Sequence, residues 1–153
     1  MRKIEVKDLK SIGLLKHYRL IRKWACRTNE INDADLELLI FFDSIGHFTK
    51  KDYMEGKLTC SWDKHRWDRL LREGWIVVWR EFNRTTIKHN IYKTSFKCSH
   101  LVTRVYKMML GEEDIPETKS SSSIFKRKSY TDRVLATSIK NFNKDKTRWG
   151  NGL

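Results

Sequence analysis

One proline and seven glycines in 153 residues are too few for a collagen-like or loop-dominated chain. Three cysteines (Cys26, Cys60 and Cys98) are odd in number and far apart. That pattern excludes a disulfide framework and suggests reduced thiols in a cytoplasmic setting. No apolar run approaches the ~18 residues a membrane span requires. No apolar stretch follows Met1-Arg2-Lys3-Ile4-Glu5-Val6-Lys7, so no secretory signal is expected. Also missing are a glycine-rich phosphate loop, a serine-nucleophile motif, a Cys-x-x-Cys pair and a paired-histidine spacing. His17, His47, His65, His89 and His100 are scattered. Cys98 and His100, two apart on a helix, diverge by about 200° and do not chelate together. The expectation is a protein that is not an enzyme and takes neither cofactor nor metal.

What is present is positive charge. Lys and Arg number 32 against 19 Asp and Glu, a formal net charge of +13. Hydrophobic residues at 39% and aromatics at 12% suffice for the core of one compact domain. A pI near 9.8 points to a polyanionic partner, nucleic acid before an anionic membrane surface. The charge is unevenly placed. Residues 1–28 hold nine bases and two acids (+7), and residues 29–56 hold two and seven (−5). Residues 57–107 hold twelve and four (+8), residues 108–115 three acids alone (−3), and residues 116–153 nine and three (+6). The stretch 29–115 is therefore formally neutral but polarised, with one positive face expected.

Apolar residues Ile12, Leu15, Tyr18, Ile21 and Ala25 recur at helical spacing and predict a helix over about Leu9 to Arg27. Asn32 or Asp33 caps a second helix through Leu36 to Phe42, apolar nearly all round and hence central. Asp43 to His47 reads as a loop. Thr49 with Asp52 forms a capping-box pattern that opens a short third helix ending at Gly56. Thr59 or Ser61 is expected to cap the next helix, Trp62 to Arg72, which stops at Gly74. Trp75 to Phe82 and Ile87 to Tyr92 then read as two strands of a ribbon joined by a polar turn. Thr94 or Ser95 caps a further helix ending near Gly111. Beyond Pro116, Ser120 to Ser123 and Lys126-Arg127-Lys128 suggest a flexible basic connector. A short helix over Tyr130 to Phe142, capped by Thr131, follows and needs something to pack on. The expected division is 1–115 as one domain and 116–153 as a basic, serine-containing tail.

This order predicts a mainly α (α+β) winged helix-turn-helix with a two-stranded β-wing, whose second helix of the pair enters the DNA major groove. Placing Trp67 at 0° and advancing about 100° per residue puts Leu70 and Leu71 within ~60° of it, facing the core. Trp62, His65, Arg69 and Arg72 fall opposite, with Arg66 at the flank. Taken alone, these arginines beside Asp63, Asp68 and Glu73 suit an ordinary solvated face. The ribbon directly behind them, with Arg84 at its tip and Arg80 and Lys88 on its arms, favours contact with DNA phosphates and bases. The candidate DNA-binding set is Trp62, Lys64, His65, Arg66, Arg69, Arg72, Arg80, Arg84 and Lys88. Trp24 and Trp67 lie on apolar stripes and are expected in the core. Trp75 and Trp79 share one ribbon face, and Ile76 and Val78 the other.

From Leu14 to Gly111 the chain resembles the MarR (multiple antibiotic resistance regulator) family of winged-helix transcription factors. The landmarks are Leu36-Glu37-Leu38-Leu39, Phe48-Thr49-Lys50-Lys51-Asp52, Leu70-Leu71-Arg72-Glu73-Gly74-Trp75-Ile76 and Tyr92-Lys93-Thr94-Ser95. A fifth is the apolar helix ending at Leu110-Gly111-Glu112. The wing differs, with Phe82-Asn83-Arg84-Thr85-Thr86 in place of the family's acidic-plus-arginine turn, and Lys97 stands near a usual glycine. The resemblance implies a cytoplasmic transcription regulator that binds double-stranded DNA as a homodimer through its first and last helices. The residues alone leave monomer and dimer open. A rival reading is a winged-helix adaptor or assembly protein of a transcription machine or viral particle, binding a protein partner through its basic ends. A third is single-strand or RNA binding through exposed tryptophans.

Overall fold

A computed structural model describes residues 3–12, 14–55, 63–81, 90–118 and 129–145. The side chains of residues 9, 11, 12, 14, 16 and 64 lie outside that description. The described chain is mainly helical α+β, with seven helices and a small three-stranded antiparallel sheet. It divides into two compact units. One is Asn32–Thr103, and the other combines Met1–Ile31 with Arg104–Leu153. The expected division at residue 115 therefore differs from the observed one. The segment around α7 (Tyr130–Lys144), assigned to a tail by its composition, belongs with the amino-terminal helices because it packs on one of them. No helix among the described residues is long and apolar enough to cross a membrane.

The unit Asn32–Thr103 begins with α3 (Asp33–Ile45). Asn32 caps it through a complete capping box, its side chain accepting from Asp35 N while the Asp35 carboxylate accepts from Asn32 N. Gly46 closes the helix at φ +85°, a left-handed geometry that favours glycine. The loop expected over Asp43 to His47 is instead the end of α3, through Ile45, then Gly46 and the first residue of β1 (His47–Thr49). Three residues are too few to show the alternation that identifies a strand. Thr49 and Asp52 form the expected capping box on α4 (Lys50–Met54). The next helix, α5 (Lys64–Arg72), starts two residues later than expected. Its cap is Asp63, whose carboxylate accepts from His65 N and Arg66 N. The capping candidates Thr59 and Ser61 lie outside the described residues.

β2 (Ile76–Arg80) and β3 (Ile91–Thr94) form the ribbon, and β1 adds to its far side to give the order β1-β3-β2. Register shifts between Val78 and Arg80, so Trp79 sits on a bulge. The expected alternation of Trp75 and Trp79 against Ile76 and Val78 does not hold, since Trp75 precedes the strand and the bulge lies at its other end. Trp75 and Ile76 are both buried, whereas Val78 and Trp79 are both exposed. α6 (Phe96–Leu110) starts after Ser95, whose hydroxyl accepts from Cys98 N, and the division between units falls within it. The core of this unit is aromatic: Trp67 meets Tyr92 at 4.9 Å, Tyr53 at 5.3 Å and Phe48 at 5.8 Å between ring centroids. Phe42 stacks on Phe48 at 4.0 Å. Such contacts add to the large area each ring removes from water.

The other unit contains α1 (Val6–Ile12), α2 (Leu14–Asn29) and α7, together with the residues of α6 from Arg104 onward. The single expected helix from Leu9 is thus two, with Gly13 between them in the sequence. α2 ends where Glu30 takes φ +55° and Ile31 N donates to Cys26 O. Ser129, not Thr131, caps α7, accepting from Asp132 N. Arg27 of α2 donates from Nη1 and Nη2 to both oxygens of the buried Asp132 carboxylate (2.5 and 3.3 Å). The hydrogen bonds to Asp132, and after them the charge of its carboxylate, raise the Arg27 pKa above its ordinary value against the opposing effect of burial. Asn143 of α7 behaves like a backbone unit toward Ile115: its Oδ1 accepts from Ile115 N and its Nδ2 donates to Ile115 O, both at 2.9 Å. Trp24 is buried in this unit as Trp67 is in the other.

Candidate nucleic-acid interface

The expected recognition surface is α5 with the ribbon behind it. The helix is fixed to its surroundings within Asn32–Thr103 on three sides. Trp67 and Leu70 enter the core, at 1% and 0% exposure. The Tyr53 hydroxyl donates to Asp63 O at 2.8 Å, tying α4 to the residue that caps α5. Lys50 of α4 approaches Asp68 at 3.8 Å, an exposed pair of small energetic weight.

The third attachment was invisible from the sequence. Asp35 of α3, 1% exposed, accepts from Arg66 Nε at 3.0 Å. Arg69 Nη2 donates to both of its oxygens at 2.6 Å. The same carboxylate closes the α3 capping box. A carboxylate this buried requires compensating charge, and two guanidiniums provide it. Arg66 and Arg69 were expected to face outward toward a polyanion, but their guanidiniums hold Asp35. Spacing along α5 alone cannot show that α3 brings Asp35 to that flank.

The remaining expected residues separate into two groups. His65, Arg72 and Arg80 are exposed. The side chain of Lys64, and all of Trp62, Arg84 and Lys88, lie outside the described residues. Sequence reasoning omitted an exposed patch on the sheet. The His47 ring lies 4.0 Å from that of Trp79, which is 45% exposed, and His47 pairs in register with exposed Lys93. Alternation within the ribbon could not reveal this patch, because it depends on β1 pairing with β3 and bringing His47 beside Trp79. Lys97 is turned inward along the surface, donating to Glu73 O at 2.8 Å with its Nζ 4.0 Å from the Trp75 ring centre.

The polar groups near the start of α6 form a closed set. Asp43 Oδ1 accepts from Ser99 Oγ at 2.8 Å and from Thr94 Oγ1 at 3.2 Å. Cys98 beside them is fully buried, and burial, reinforced by the Asp43 charge and opposed by Lys97, pushes its thiol up to about 12. That is the opposite of what a redox-sensing thiolate needs. His100, two residues on, is exposed and its ring stacks on Phe96. Among the described residues, no group of three His, Cys, Asp or Glu is placed to hold a metal ion.

Comparison of the chain with protein-family models, curated proteins and solved structures finds no match.

Proposed function

We propose that residues 32–103 are a winged helix-turn-helix domain, MarR-like in its order of elements, and that the protein is a transcription regulator binding double-stranded DNA. The observation that carries the reading is the order α3, β1, α4, α5, β2, β3 with the sheet arranged β1-β3-β2. In that arrangement α4 and α5 are the helix pair and β2 and β3 the arms of the wing. α5 is the recognition helix. Its outward residues His65 and Arg72 meet base edges or the nearest phosphates, and Arg80 and Lys93 follow the backbone. Arg66 and Arg69 support this surface from behind, since Asp35 holds their charged ends.

Selection of bound duplexes from a random library tests the reading directly. The protein should enrich a defined sequence, and Arg72→Ala should relax the preference by about 1–3 kcal/mol at one or two positions. Enrichment of no sequence by the intact protein rejects a sequence-reading role. A second reading, the adaptor or assembly protein, is favoured by Phe96, a large apolar side chain 88% exposed at the start of α6. Under that reading His65→Ala and Arg72→Ala leave function intact, while Phe96→Ala abolishes it.

A further inference from the structure

The two units differ sharply in charge. Met1–Ile31 with Arg104–Leu153 contains 20 Lys and Arg against 9 Asp and Glu, a net +11. Asn32–Thr103 contains 12 against 10, a net +2. Two of those twelve, Arg66 and Arg69, are held by Asp35. A recognition domain this close to neutral supplies little of the sequence-independent attraction that dominates affinity for DNA. The other unit has the charge, and it also has a place to use it.

That place is a groove of about 620 Å3 between α2 and α7. Arg19, Arg22 and Lys23 line it from α2, along with His17, and Ser138 and Asn141 line it from α7. Its floor is apolar, made by Leu20, Leu135 and Phe142, and one carboxylate, Asp145, also borders it. Three permanent cations against one anion give the groove a positive field. Guanidinium, ammonium and carboxamide groups are the donors that phosphate oxygens accept from. The volume falls within the usual range for small-molecule sites and accommodates a nucleotide-sized piece of backbone.

We infer that this groove binds the phosphodiester backbone of double-stranded DNA without regard to sequence, supplying the affinity while α5 supplies the discrimination. The inference rests on the DNA-binding reading of residues 32–103, and a different measurement tests it. Arg19 and Lys23 are exposed, so Arg19→Ala with Lys23→Ala leaves the packing of α2 unchanged. Fluorescence anisotropy on one arbitrary 20-base-pair duplex, across a salt series, compares this variant with the intact protein and with Arg72→Ala. Removing two phosphate contacts should lower the slope of log affinity against log salt by about 1.8 and weaken binding at 0.1 M salt on the order of tenfold or more. Arg72→Ala should change the slope by no more than one contact's worth, about 0.9. An unchanged slope and affinity in the groove variant overturns the groove while leaving library enrichment intact. Loss in the groove variant without any enrichment by the intact protein retains the groove and rejects the reading of α5. Poly-glutamate competing as strongly as duplex at equal charge assigns the groove to an acidic protein and overturns the inference, as does failure of the intact protein to bind duplex at low salt.

Discussion

Truncating Arg69 to alanine is expected to destabilise residues 32–103 by about 3 kcal/mol, although the side chain is a third exposed and lies on a surface helix. The magnitude follows from what would be left behind. Asp35 is 1% exposed, and Arg69 donates to both of its oxygens at 2.6 Å. Removing one partner of a buried ion pair typically costs ~3–5 kcal/mol, because the other charge stays in place without compensation. Arg66 Nε at 3.0 Å and Asn32 N at 3.3 Å would remain, which places Arg69→Ala at the low end of that range. Arg66→Ala, losing one bond to a charged acceptor, should cost about 1.5–3 kcal/mol. The double variant should reach about 5 kcal/mol. Asp35→Ala should cost less than the double variant, since the two guanidiniums freed by it, 19% and 33% exposed, regain water. Urea unfolding followed by far-UV circular dichroism and tryptophan emission measures all four. Arg69→Ala within 0.5 kcal/mol of the intact protein, or Asp35→Ala more damaging than the arginine pair, would refute the view that a buried carboxylate is the centre of this cluster. The result also bears on DNA-binding assays, in which loss of binding by Arg66 or Arg69 variants would report unfolding before it reported contact.

Two further outcomes follow from buried groups. In a Cys60→Ser background the native protein should react with a thiol reagent at pH 8 only as fast as it unfolds, and rapid labelling of Cys98 would contradict its burial. Because the Cys98 thiol is pushed from 9.0 to about 12, the unfolded chain ionises first. Its contribution should be intact below pH 9 and be lost as pH rises toward 12, a loss that Cys98→Ala removes from the stability profile. Asn143→Leu strands Ile115 N–H and C=O, and should cost about 2–4 kcal/mol with faster amide exchange at Ile115. An Ile115 amide as protected as before would show that the pairing contributes nothing.

What was readable in the sequence was local. The Thr49/Asp52 capping box spans three residues, so pattern and physics coincide, and it formed as expected; of the two caps expected for α3, Asn32 or Asp33, Asn32 takes the role. Trp24 and Trp67 announced their burial through helical periodicity. The misses came where a second segment decides. Asp35 lies 31 residues from Arg66 and 34 from Arg69, and nothing near either arginine signals a buried carboxylate on another helix. β1 exists because β3 pairs with it across more than forty residues of sequence. The same holds for α7. Its weak cluster of Val134, Leu135, Ile139 and Phe142 gave no direction, whereas the pair Arg27–Asp132, 105 residues apart, shows what it packs on.

That separation sets an order of events during synthesis. Residues 32–103 are contiguous and have their whole aromatic core in hand once the ribosome has passed them. For its Arg27–Asp132 pair α2 must wait for a helix that begins about a hundred residues later, roughly 5–20 s at ordinary elongation rates. During that interval the Arg27 guanidinium stays in water, without the Asp132 carboxylate that later holds it. A nascent chain stalled before residue 130 would carry residues 32–103 complete and the basic unit without α7.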